Sequence, residues 1–167
     1  MRPGVMVAGL MLGAGSLLNA GVLTAQMGNL NGNSEKPKSY VIYDAEPQIV
    51  PAGKRSVVEM RFRVVDGFHV NSHTPKSELL IPTKVDLQPV AGVKAETAEY
   101  PAGMAYSFSF SPKNKLDVYA GDFTVKLPVV AKAGQHEIDG TLRYQACDHA
   151  ACYPPRSLPI QVVFTAK

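Results

Sequence analysis

The fold class that the sequence predicts is all-β: an immunoglobulin-like antiparallel β-sandwich. Three observations predict it. Apolar residues recur with a period of two in one segment after another, turn signals separate those segments at short intervals, and no segment after the N-terminal stretch sustains a helical period. A small closed barrel is the second architecture that such a pattern allows. The chain has 167 residues, of which 46% are hydrophobic and 19% charged, enough for one domain with a real core. The formal net charge is only +3, and no basic run with interleaved aromatics is present, which argues against nucleic acid as a partner.

Residues 1–25 stand apart. Arg2 is followed by an almost charge-free run from Val5 to Leu23 and a small-residue exit at Ala25. This is the pattern of a secretory signal peptide cleaved after Ala25, with Ala20 as the alternative site and an uncleaved membrane anchor as the competing reading. No cysteine stands at the exit, so no lipid anchor is expected. Residues 26–39, rich in Gly, Asn and Ser, read as a flexible tether, and residues 40–167 as the folded domain.

The strands follow in order. Tyr40 to Tyr43 is a short β-rich run, and Pro51-Ala52-Gly53-Lys54 turns the chain. From Arg55 to Val65, Val58, Met60, Phe62 and Val64 form one face while Glu59, Arg61 and Arg63 form the other, the mark of a half-buried strand. After Asp66-Gly67 come Phe68 to Pro75, a single helical turn across Thr74 to Leu80, and a strand from Ile81 to Leu87. Gly92 to Pro101 reads as a connection. Tyr106, Phe108 and Phe110 alternate with serines, Leu116 to Gly121 leads into Phe123, Val125, Leu127 and Val129, and Ala133-Gly134 turns. The most regular strand runs from His136 to Cys147, and Leu158 to Thr165 closes the chain with Ile160, Val162 and Phe164 on one face. The expectation is seven or eight strands, with no internal repeat.

The two cysteines, Cys147 and Cys152, are separated by four residues. Thiols this close can bond if the backbone turns back between them. Closing so small a loop contributes only about 2 kcal/mol in the chain-entropy account, so stability is a weak reason for such a bond, and thiol–disulfide exchange is the leading one. In the strand from His136, Ile138, Gly140, Leu142, Tyr144 and Ala146 form the apolar face. Cys147 falls in the polar register and is expected to point to solvent or an edge groove. A loop staple between the last two strands is the structural alternative, and a metal site using Cys147, Cys152, His149 and His69 or His73 is a third reading, which lacks the paired spacing of a zinc motif. His149 between the thiols would lower a cysteine pKa as an imidazolium, and Asp148 would raise it. Tyr153-Pro154-Pro155 removes two backbone donors and keeps the chain from pairing as a central strand there.

These residues resemble the periplasmic N-terminal domain family of the thiol:disulfide interchange protein DsbD. The resemblance rests on Tyr144-Gln145-Ala146-Cys147 and Cys152-Tyr153-Pro154-Pro155, supported by Gly67-Phe68-His69-Val70-Asn71-Ser72, Pro82-Thr83, Tyr100-Pro101-Ala102-Gly103 and Val118-Tyr119, and covers about Tyr40 to Ala166. It implies an immunoglobulin-like fold and a redox pair formed by Cys147 and Cys152. It also implies an aromatic cap over the disulfide, with Phe110 or Phe108 as the counterpart, although Tyr106, Phe108 and Phe110 alternate as a core strand also would; His149 and Tyr153, between and beside the cysteines, are the other site-shaping candidates. The family carries reducing equivalents from a membrane-embedded donor, through a thioredoxin-like domain, to acceptors such as periplasmic disulfide isomerases and cytochrome maturation proteins. The resemblance therefore implies an electron carrier of the periplasm, with no bound cofactor, rather than a stand-alone enzyme. The chain departs from the family pattern in having four residues, not five, between the cysteines. The sequence stops at Lys167 without the family's other domains, so the donor is expected in trans. The alternative function is a secreted binding or assembly module with a permanent disulfide.

Overall fold

In the computed structural model, residues 38–108, 113 and 115–167 are described; the expected signal peptide, the tether up to residue 37 and Phe110 lie outside them. Every regular element among the described residues is a strand. In chain order these are β1 (Val41–Asp44), β2 (Gln48–Val50), β3 (Arg55–Val64), β4 (His69–Asn71), β5 (Lys84–Leu87), β6 (Val93–Ala95), β7 (Met104–Tyr106), β8 (Leu116–Tyr119), β9 (Asp122–Ala131), β10 (Gly134–Tyr144), β11 (Ala146–Cys147) and β12 (Arg156–Ala166). They build three sheets, ordered β1-β3-β9-β6, β2-β12-β10-β5 and β11-β4-β8-β7. Pairing is antiparallel except between β2 and β12.

The first two sheets share one core, as a sandwich requires: Val58, Met60, Phe62 and Val64 of β3 and Val125, Leu127 and Val129 of β9 join Ile138, Leu142 and Tyr144 of β10 and Ile160, Val162 and Phe164 of β12 in a single buried cluster. The expected faces of β3, β9 and β12 are the observed ones, because each stays within one sheet and its pleat sends alternate side chains inward. The all-β immunoglobulin-like sandwich is therefore the fold class, and its main sheets remain open, with β1, β6, β2 and β5 at their edges.

Four expectations are corrected. The helical turn over Thr74 to Leu80 shrinks to one hydrogen-bonded turn, the Leu80 N–H donating to the Ser77 carbonyl: Ser72 Oγ accepts the Thr74 N–H, Ser77 Oγ accepts the Leu79 N–H, and Pro75 disfavours helical backbone before it, so no helix forms. The connection from Gly92 to Pro101 contains β6, captured by the edge of β9. β2, three residues long, is too short to show a period; it pairs with β12, and the Gln48 side chain donates to the Glu59 carbonyl and accepts the Glu59 N–H on β3. The strand from His136 ends at Tyr144 rather than running to Cys147. Short strands of this kind bring the number to twelve among the described residues.

The start of the domain is tied down slightly ahead of Tyr40. The Lys38 carbonyl accepts from Arg156, and the Ser39 hydroxyl donates to the Val41 carbonyl and lies 3.1 Å from the Tyr144 hydroxyl.

Candidate redox site

The third sheet carries the cysteines. Between Tyr144 and Ala146 the chain leaves β10, in the second sheet, and enters β11, which pairs with β4. Gln145 sits at that step, and its side chain bonds three segments: Oε1 accepts from Asn71 Nδ2 and from the Ile81 N–H, and Nε2 donates to the Tyr153 carbonyl. A strand that changes sheets at such a step does not keep its faces. Ala146 and Cys147 are consequently both buried, and the expectation that Cys147 points to solvent is overturned: it is 0% exposed.

Beyond Cys147 the chain folds back as a narrow hairpin. The Asp148 N–H donates to the Ala151 carbonyl and the Tyr153 N–H to the Ala146 carbonyl, and Cys147 faces Cys152 across an antiparallel bridge. The two sulfurs are bonded, at 2.03 Å, with the α-carbons 3.9 Å apart. Cys152, unlike Cys147, is exposed. The disulfide thus has one sulfur-bearing residue in the core and one at the surface.

Asp148 holds the hairpin. Its Oδ1 accepts the N–H groups of Ala150 and Ala151 at 2.7 and 2.8 Å, and its Oδ2 accepts the Tyr153 hydroxyl at 2.5 Å. The Tyr153 bond and the two N–H groups stabilise the carboxylate and pull its pKa down to about 2. The same bond pushes the Tyr153 hydroxyl above its ordinary value. The Tyr153 ring stacks on Tyr40 at 5.1 Å, Tyr40 packs on Phe68 at 4.7 Å, and the Arg156 guanidinium lies 4.4 Å above the Tyr40 ring. Tyr153 therefore joins the hairpin to the domain, whereas His149 is exposed at the hairpin tip. Pro154 and Pro155 lie outside any strand, and pairing resumes only at Arg156.

Behind the disulfide lies β4. His69 is the direct cross-strand partner of Cys147, 3% exposed, and its Nε2 has no hydrogen-bond partner among the described residues. Burial pushes its imidazole below the ordinary value, and the charge of Asp148 opposes this in part. The Tyr106 ring packs on His69 with centroids 3.9 Å apart, and the Phe108 ring lies 6.0 Å from His69 and edge-on to Tyr106. Phe108 is thus next to the cross-strand partner of Cys147, half-buried rather than core; Phe110, the other cap residue expected, is outside the described residues. His73 is elsewhere, stacked on Tyr100 at 3.7 Å with Nδ1 3.0 Å from the Thr83 carbonyl. With the two sulfurs bonded to each other and His73 so engaged, the ligand set of the metal reading is not assembled, and no cluster of three or more His, Cys, Asp or Glu with metal-holding geometry occurs among the described residues.

Sequence reasoning singled out the cysteines and Tyr153 but did not foresee Asp148 as a clamp or His69 as the cross-strand neighbour of Cys147. An Asp at the start of a short loop is a known turn former, and that signal was available for Asp148. His69 was singled out only as a possible metal ligand and within the family motif; its place opposite Cys147 depends on the pairing of β4 with β11.

The family model for the N-terminal domain of the thiol:disulfide interchange protein DsbD matches residues 41–163. No curated protein matches the chain significantly. Similar solved structures include the following two. One is the reduced DsbD N-terminal domain of Neisseria meningitidis, 19% identical over 70% of this chain and 86% of that one, with a TM-score of 0.44. The other is the complex between the DsbD and PilB N-terminal domains of Neisseria meningitidis, 18% identical over 77% of this chain and 87% of that one, with a TM-score of 0.49.

Proposed function

The chain belongs to the family of N-terminal domains of the thiol:disulfide interchange protein DsbD, and from that premise we propose that it relays reducing equivalents between thioredoxin-like partners by cycling Cys147 and Cys152 between disulfide and dithiol. Its compartment is the periplasm, reached through cleavage of residues 1–25, with a tether from residue 26 that ends where Lys38 and Ser39 bond to the domain. A membrane-embedded donor supplies the electrons, and disulfide isomerases or cytochrome maturation proteins accept them.

The observation that carries the reading is the asymmetry of the disulfide, in which Cys152 is exposed and Cys147 is buried. An incoming thiolate needs access to the sulfur that it attacks, and only Cys152 offers that. The partner's thiolate attacks Cys152 Sγ, the Cys147–Cys152 bond breaks, and Cys147 leaves as a thiolate. The partner's second thiolate then attacks its own bonded sulfur and releases Cys152, so that two electrons pass to the domain. In the opposite direction, Cys152 attacks an acceptor disulfide and Cys147 resolves the mixed intermediate.

The alternative of a permanent staple is disfavoured by the hairpin itself. Asp148 and two backbone bonds already close the loop, leaving a disulfide little to add to its shape. The test is trapping in the native compartment. Cys147→Ser is expected to accumulate a mixed disulfide through Cys152, whereas Cys152→Ser, with its remaining thiol buried, is expected to trap far less. Blank lanes from both variants would overturn the carrier reading, and the reverse ranking would overturn the assignment of Cys152 as the attacked sulfur.

A further inference from the structure

We propose that His69 stabilises the Cys147 sulfur as it leaves, donating an imidazole N–H to the thiolate; the assignment rests on the carrier reading above. Directly opposed residues of an antiparallel pair project from the same face with β-carbons about 5 Å apart, within reach of an imidazole and a sulfur. Cys147 and His69 are such a pair, and both are buried, at 0% and 3% exposure.

His69 Nε2 is enclosed and has no hydrogen-bond partner among the described residues. Leaving a buried polar atom unpaired is costly, and such an atom calls for a reason. The oxidised sulfur is neutral and a weak acceptor. After the bond breaks it carries a full negative charge in a site that water reaches poorly, and it becomes a strong one. The unpaired nitrogen therefore gains its partner in one redox state only.

The surroundings leave few rivals for that role. The rings of Tyr106 and Phe108 pack against His69. Asp148, the charged group whose field reaches the imidazole, has its carboxylate engaged by Ala150, Ala151 and Tyr153. On β8, the other strand beside β4, the groups opposite Val70 and Asn71 are Tyr119 and Val118, and the Tyr119 hydroxyl is engaged by the Pro101 carbonyl and the His73 N–H. Burial favours the uncharged imidazole, which carries a single N–H.

The step balances without any further reactant. The electron pair of the sulfur–sulfur bond goes to Cys147, the new bond joins the partner's sulfur to Cys152, and the imidazole N–H is shared with the thiolate until water supplies its proton. When Cys147 later attacks as the resolving thiolate, the same hydrogen bond holds it ionised.

The test uses the full chain and a small dithiol as reductant. His69→Phe is expected to slow reduction about tenfold and, in a Cys152→Ser background, to raise the Cys147 thiol pKa by about one unit, as ultraviolet thiolate absorbance would read it. His69→Gln, which keeps an N–H donor, is expected to recover part of both. A folded His69→Phe variant with unchanged rate and unchanged thiol pKa overturns the assignment. Should that variant fail to fold, the wild-type imidazole nitrogens decide by NMR: their resonances are expected to move between the oxidised protein and the reduced protein at alkaline pH, and no movement overturns the proposal. A wild-type chain inert both to the dithiol and to reduced thioredoxin would instead sink the carrier reading, whereas a reactive wild type matched by His69→Phe sinks only the role of His69.

Discussion

Asp148 shows how a single side chain prepares this site. Its carboxylate is shared among two backbone N–H groups and a phenol, and these hold its pKa near 2, below the ordinary 3.8. A carboxyl group depressed in the folded state contributes stability that is present above its unfolded value and lost as pH falls through the folded one. The hairpin is therefore expected to keep its shape from neutral pH to about pH 4 and to loosen toward pH 2. The amide resonances of Ala150 and Ala151 should titrate with a midpoint near 2; a midpoint near 4 would mean that the carboxylate is not engaged. In the sequence Asp148 was read only as a charge beside a thiol; an Asp at the start of a short loop signals a turn, but the full set of hydrogen bonds depends on the path of the loop. The spacing of Cys147 and Cys152, by contrast, was enough to foresee a turn between them.

Among the elements, β10 is where local pattern and tertiary structure part. Its inward positions Ile138, Leu142 and Tyr144 read correctly, since β12 and β5 flank it on both sides and hold its pleat. Gly140 belongs to the same run for a different reason. A β-carbon there would lie 2.6 Å from Leu87 Cδ2 and 2.7 Å from the Asp86 carbonyl oxygen, so β5 can approach only a glycine. Gly140→Ala is expected to destabilise the domain by about 1–3 kcal/mol, as overpacking does, measured by urea unfolding. An unchanged midpoint would mean that β5 is not held so closely. The same strand misled at its end: extrapolating its alternation past Gln145 put Cys147 outside, whereas the change of sheet puts it inside.

At the scale of the whole molecule, the fold is expected not to depend on the disulfide. Most of the core is drawn from β3, β9, β10 and β12, with Ala146 and Tyr153 of the hairpin packed against it, and closing so short a loop contributes about 2 kcal/mol at most. Reduction is accordingly expected to leave the circular dichroism spectrum unchanged and to lower unfolding free energy by no more than about that amount. A domain that unfolds on reduction would be a stapled module instead of a carrier. What the sequence determined alone was everything that depends on neighbours along the chain: the strand faces of β3, β9 and β12, the turns between them, and a cysteine pair that could close on itself. The tertiary structure decided which cysteine is buried and what stands beside it. Both follow from β4 crossing to pair with β11, and a contact between segments so far apart in the chain leaves no trace in the periodicity of either.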